Sequence, residues 1–225
     1  MSVAHNLAVS PLRIAVAVLV LATAVLSRPL PFASDKGFTP PPANPAPTYP
    51  AHESHDDEKV SIAVDPYGSP QKTASVFKVK YNDYGFLPVR LIITNDSGKT
   101  LMLDSVKIEL VTARRDKIAP ALKDDIFRRL ARPEKAGNRS GVQLPIPIPH
   151  DSKPIKTEAR AEVDSAMFVS VPVTPHSTQS GYLFFDVAGI DDPENEAHLY
   201  ISGIKAGGQE LFYFDIPLQP APENH

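Results

Sequence analysis

Phe86-Leu-Pro-Val-Arg-Leu-Ile-Ile-Thr94 is the richest apolar run in the body of the chain. It is followed by the polar stretch Asn95-Asp96-Ser97-Gly98. From Leu101 to Thr112 the pattern returns, with Val106, Ile108 and Leu110 alternating against Lys107, Glu109 and Val111. An apolar run, a turn signal and a period-two run read as a β-hairpin with a connection of about four or five residues. Pro88 has no backbone N–H to give to a ladder, so it argues for an edge or a bulge at that position.

The same periodicity extends outward on both sides. Upstream, Val60, Ile62 and Val64 alternate with polar or small residues and stop at Pro66, and Val76 to Tyr81 reads as a second strand. Downstream, Phe168 to Val173, Gly181 to Val187, His198 to Ile204 and Glu210 to Ile216 are further strands. Gly207-Gly208 joins the last two as a two-residue hairpin turn. About seven to eight short strands without strand–helix–strand alternation give a mainly β fold, an antiparallel β-sandwich. The body from 59 to 218 is long enough for one core.

An insertion at about 119–165 interrupts the β pattern. Leu122, Ile126 and Leu130 recur every four residues, with acids early and arginines late, which is an amphipathic helix ended by Arg132-Pro133. Ile155, Ala159 and Val163 share a face of a second helix over about 154–164. Between them lies Leu144-Pro-Ile-Pro-Ile-Pro149, which could dock in a partner groove or blunt an edge of its own sandwich.

Residues 28–58 carry eight prolines, Pro29, Pro31, Pro40, Pro41, Pro42, Pro45, Pro47 and Pro50. Polyproline II and a disordered linker are expected there, with order beginning at Lys59. Before it, Arg13 opens the uncharged run Ile14 to Leu26. The 14 positions between Arg13 and Arg28 span about 21 Å as a helix, short of a hydrocarbon core of roughly 30 Å. Residues 1–27 therefore read as a signal peptide, with an uncleaved N-terminal membrane anchor as the alternative. Residues 219–225 read as a disordered, Pro-rich tail. The expected location is periplasmic or extracellular, with anchoring at the inner membrane as the variant.

The chain has 225 residues, no Cys and a formal net charge of −3. Disulfides, thiolate catalysis and cysteine zinc sites are excluded, and the charge gives no reason to expect nucleic acid. The segment Gly85 to Gly98, and Pro175-His-Ser-Thr-Gln-Ser-Gly-Tyr-Leu-Phe-Phe-Asp-Val187, resemble the apolar-strand-plus-polar-turn elements of bacterial extracytoplasmic immunoglobulin-like β-sandwich modules. That resemblance implies an immunoglobulin-like sandwich and carries over no site residue.

Chemistry-bearing constellations are few. His52-Glu-Ser-His-Asp-Asp-Glu58 reads first as a solvated acidic linker, and as the alternative offers imidazoles and carboxylates suited to zinc, copper or nickel. His150, His176, His198 and His225 are scattered. His176-Ser177-Thr178 places a base beside hydroxyls, but turn chemistry accounts for it. Arg114, Arg115, Arg128, Arg129, Arg132, Lys135 and Arg139 form a basic stretch with acids interspersed, read as a solvated face. Tyr182, Phe184, Phe185, Tyr200, Phe212, Tyr213 and Phe214 read as core and cross-strand pairs rather than a carbohydrate platform. No catalytic, cofactor-binding or metal-ligating residue is assigned. The expectation is a non-enzymatic exported interaction module of the bacterial cell envelope, with a protein partner, no cofactor and membrane contact only through the N-terminal segment. The alternative is an envelope metal-binding protein using His52–Glu58.

Overall fold

The computed structural model describes residues 38–131 and 157–219. The segment 1–27, the Leu144–Pro149 run and residues 220–225 lie outside them. Among the described residues the protein is mainly β, with eleven strands in three antiparallel sheets. The strands are β1 (His52–His55), β2 (Val60–Pro66), β3 (Phe86–Asn95), β4 (Leu101–Met102), β5 (Lys107–Val111), β6 (Lys117–Ile118), β7 (Ser177–Asp186), β8 (His198–Ser202), β9 (Lys205–Ala206), β10 (Gln209–Glu210) and β11 (Phe214–Pro217). One sheet has the order β1-β2-β3-β7, and the others β10-β9-β4 and β11-β8-β5-β6. Three α-helices accompany them among the described residues: α1 (Pro70–Ala74), α2 (Lys123–Ala131) and α3 (Thr157–Ala166). No helix among the described residues is long and apolar enough to cross a membrane.

Alternation decides which side chains meet. Val60, Ile62 and Val64 of β2, Leu87, Val89, Leu91 and Ile93 of β3, and Leu183 and Phe185 of β7 point to one face of the first sheet. There they share a core with Leu110, Leu199, Ile201, Phe214 and Ile216 from the facing sheet. Each fully buried side chain of this size stabilises the fold by roughly 2 kcal/mol. The opposite face of the first sheet is covered as well. Ala46, Ala43 and Tyr49 pack on Ala63 and Ile92, while Tyr67, Phe77, Tyr81, Ile126, Phe127, Val163 and Ala166 pack on Phe86, Tyr182 and Phe184. All ten residues of β3 are buried. A strand covered on both faces needs no polar alternation, which is why Phe86–Thr94 reads as a continuous apolar run.

The order expected from Lys59 begins at least as early as Phe38. Phe38 stacks on Phe77 at 5.5 Å, Arg90 Nη2 donates to the Pro41 carbonyl, and the Ala46 N–H donates to Thr94 Oγ1 at 2.8 Å. Prolines leave carbonyls without a ladder, and here a side chain from β3 takes one of them. His52–His55, expected in the linker, pairs with β2 from His52↔Ala63 to His55↔Val60.

The hairpin expected across Asn95–Gly98 does not form. β3 pairs with β2 and β7, and the chain after the turn crosses to the other sheets, where β4 pairs with β9 and β5 with β8 and β6. The Asn95 side chain fixes the turn by donating from Nδ2 to the carbonyls of Lys99, Val173 and Thr174. Pro88, expected at an edge, lies in a central strand opposite Phe184. Its carbonyl accepts the Tyr67 N–H at 2.8 Å, so its nitrogen faces the same side, just past the end of β2. The Tyr67 carbonyl, which an N–H at position 88 would have reached, instead accepts from Thr73 Oγ1 (2.8 Å) and Asn82 Nδ2 (2.9 Å).

Val76–Tyr81 is not a strand. Its backbone N–H groups at Lys78 and Val79 are taken by the Glu162 carboxylate of α3, at 2.6 and 3.2 Å. Phe168–Val173 is a strap between sheets, bridging Met167 to Tyr182 at one end and Val173 to Leu101 at the other. The two helices of the insertion occur as expected. So does the Gly207-Gly208 turn, flanked by Ala206↔Gln209 and continued by Ile201↔Phe214 in the same register.

Gly181 is where the strap comes closest. A Cβ there would lie 2.5 Å from Phe168 Cα and 2.9 Å from Phe168 N, both backbone atoms. Gly181→Ala is therefore expected to lower stability by about 1–3 kcal/mol. Urea denaturation checks it: the midpoint falls, whereas an unchanged midpoint would mean that the strap slides aside at no cost.

Candidate interaction surface

The His52–Glu58 cluster closes one side of the molecule. β1 is an edge of the first sheet and β11 an edge of the facing one. The His55 ring lies flat on Phe214, with centroids 3.9 Å apart and planes 10° apart. Its Nδ1 hydrogen-bonds Glu58 Oε2 and its Nε2 hydrogen-bonds Glu53 Oε1, both at 3.0 Å. Each carboxylate uses its other oxygen on the facing edge. Glu53 Oε2 accepts the Asp215 N–H at 2.8 Å, and Glu58 Oε1 accepts the Phe212 N–H at 3.2 Å. Burial alone would push the His55 pKa down, but the hydrogen bonds and charges of Glu53 and Glu58 outweigh it and raise it above 6.5.

Both imidazole nitrogens of His55 are thus committed to carboxylates, and those carboxylates to backbone. His52 is turned away, with Nδ1 on the Tyr49 carbonyl at 2.6 Å. Among the described residues no group of three or more His, Asp or Glu side chains is arranged to hold a metal ion. The geometry makes this cluster a clamp between strands.

The other expected residues separate. His176 has φ 53° and sits in a turn, as its neighbours suggested. His198 pairs with Asp215 at 2.7 Å on the outer face. Arg129 pairs with Asp186 and lies over the Phe86 ring at 5.4 Å, and Arg128 pairs with Asp125 at 2.9 Å. A shallow cavity of about 540 Å³ opens beside them, lined by Phe86, Ala121, Leu122, Asp125, Arg128 and Arg129 among others. His150, Arg132, Lys135, Arg139 and His225 lie outside the described residues.

Neither a family model, nor a curated protein, nor a solved structure matches this chain.

The aromatic residues divide in a way that their sequence does not announce. Tyr182, Phe184, Phe185 and Phe214 are core. Phe212 and Tyr213 are 78% and 55% exposed, because the hairpin ladder is interrupted between β10 and β11. Tyr213 lies 5.3 Å from Tyr200, and Lys117 sits over the Tyr200 ring while pairing with Glu109. A groove of about 510 Å³ is lined by Asp57, Glu58, Lys59, Lys99, Glu210 and Leu211 among others. Adjacent solvent-facing aromatic rings between two strands are the composition of binding surfaces rather than of ordinary exterior.

Proposed function

We propose that this chain is a non-enzymatic, exported protein-interaction module of the bacterial cell envelope, built on an immunoglobulin-like β-sandwich, and that Phe212 and Tyr213 are its contact anchors. The observation that carries this reading is the exposure of two adjacent large aromatic side chains beside a clamped seam. Phe212 has its N–H fixed by Glu58, so its backbone is held before any partner arrives, and less ordering is lost on binding. The face-to-face packing of antiparallel sheets supports the sandwich, and the Ile14–Leu26 run supports export or anchoring.

The test is capture from envelope extract with the full-length chain, followed by titration of the captured partner. The double variant Phe212→Ser/Tyr213→Ser is expected to weaken that partner at least about 30-fold, the effect of losing a hot spot of about 2 kcal/mol, while the fold is retained. Equal affinity of both forms removes this surface. A form lacking residues 133–152 separates the remaining alternative, in which the Leu144–Pro149 run makes the contact.

A further inference from the structure

We propose that His55 is a pH-sensitive latch that holds β1 and the arm before it against β11, closed while the ring carries two protons and released when it loses one. The inference stands on the clamp geometry and is independent of what the aromatic surface binds.

A ring that donates to Glu53 and Glu58 at once must be an imidazolium, since the neutral form has one N–H only. Loss of a proton turns one donor into a lone pair aimed at a carboxylate. It also removes the positive charge between Glu53 and Glu58, whose other oxygens hold the N–H groups of Asp215 and Phe212. The clamp is therefore lost on both strands together. Of the titratable and charged groups near the ring, Glu53 and Glu58 act on it directly, and the groove that Glu58 lines also holds Lys59 and Lys99. β1 supplies Glu53, and the turn after it Asp56, Asp57 and Glu58, with Lys59 as the counter-charge. β11 supplies Asp215, itself paired with His198 of β8, and β10 supplies Glu210 in the groove that Glu58 lines. No such group comes from β2, where His55 faces Val60.

The direction follows from the raised folded-state pKa. Below about 6.5 the ring is protonated in both folded and unfolded chains, so the full stabilisation is present. It is lost as pH rises through the folded value. This latch opens toward alkali. Release would leave β2 as the edge of the first sheet, with an unpaired ladder from Val60 to Ala63.

The experiment is amide hydrogen exchange on the full-length chain, read as protection factors at Phe212 and Asp215 between about pH 5 and pH 9, with the His55 ring titrated by NMR. Protection at both amides is expected to fall about tenfold, in step with the His55 titration, which is the loss of one charge-assisted hydrogen bond. His55→Gln should respond by less than about twofold over that range, and His198→Gln should keep the wild-type response. A wild-type response that persists in His55→Gln, or protection that stays level while His55 titrates, overturns the proposal. If His55→Gln does not fold, Glu58→Gln decides. The side-chain amide introduced by Glu58→Gln can donate to a neutral ring whose one N–H goes to Glu53, so the latch requires the response at both Phe212 and Asp215 to shrink, and full wild-type responses at either amide refute it.

Discussion

Phe77→Ala is expected to destabilise the protein by about 3–5 kcal/mol, more than any other single truncation on the outer face of the first sheet. Phe77 is the hub of that layer. Its ring lies 4.9 Å from Tyr182, 5.2 Å from Tyr81, 5.5 Å from Phe38, 6.0 Å from Phe184 and 6.4 Å from Tyr67. Several of these contacts are edge-to-face, a geometry that adds to area burial. The surrounding rings belong to β7, to the segment after β2 and to the N-terminal arm, so the cavity cannot close by moving one element. Thermal unfolding measures the effect, with Tm expected to fall by about 10 °C for a domain of this size. A drop of under about 1 kcal/mol would mean that the layer is loosely packed and contributes little.

Glu162→Ala is expected to cost about 3 kcal/mol through a different mechanism. Glu162 is 1% exposed and has no cationic partner among the described residues. Its oxygens accept from Lys78 N, Val79 N and Tyr81 Oη. Truncation leaves a buried Tyr81 hydroxyl and two backbone donors to find partners elsewhere, and unsatisfied groups of that kind cost roughly 1–3 kcal/mol each. Burial and the neighbouring carboxylate both hold the Tyr81 hydroxyl protonated. Glu162→Gln keeps one acceptor and should recover part of the loss. Denaturant unfolding of both variants distinguishes a hydrogen-bonding anchor from mere packing: equal losses for Ala and Gln would assign the effect to shape. Because Tyr81 touches both Glu162 and Phe77, the double variant should lose less than the two single losses together.

The residues explain how much of this was legible beforehand. β2, β7, the Gly207-Gly208 turn and the two helices follow from the local sequence, because each presents an apolar stripe, a continuous apolar run or a forced turn. Val76–Tyr81 carries the same period-two signal without being a strand. Its backbone donors go to a side chain more than eighty positions away, and no local pattern encodes that choice. Asn95–Gly98 asks for a turn, but a hairpin and a crossing between sheets use the same residues. The crossing is set by Asn95 bonding to the Val173 and Thr174 carbonyls. At the candidate site, His52–Glu58 was visible as a cluster while its role was not. Phe214, Phe212 N–H and Asp215 N–H, which give it a role, come from the far end of the chain. Exposure of Phe212 and Tyr213 was equally hidden, since nothing in their composition separates them from buried Phe214.

The pairing of β3 also has a consequence on the ribosome. Phe86 pairs with Asp186 and Asn95 with Ser177, so β7 is translated roughly 80 to 100 residues after β3. At synthesis rates of about 5–20 residues per second, that interval is about 4 to 20 s. Over that interval the nascent chain carries a ten-residue strand that is buried on both faces in the fold and has a ready neighbour, β2, on one side only. Until Gly181 and Phe184 emerge, β3 has only β2 of its own sheet to pair with.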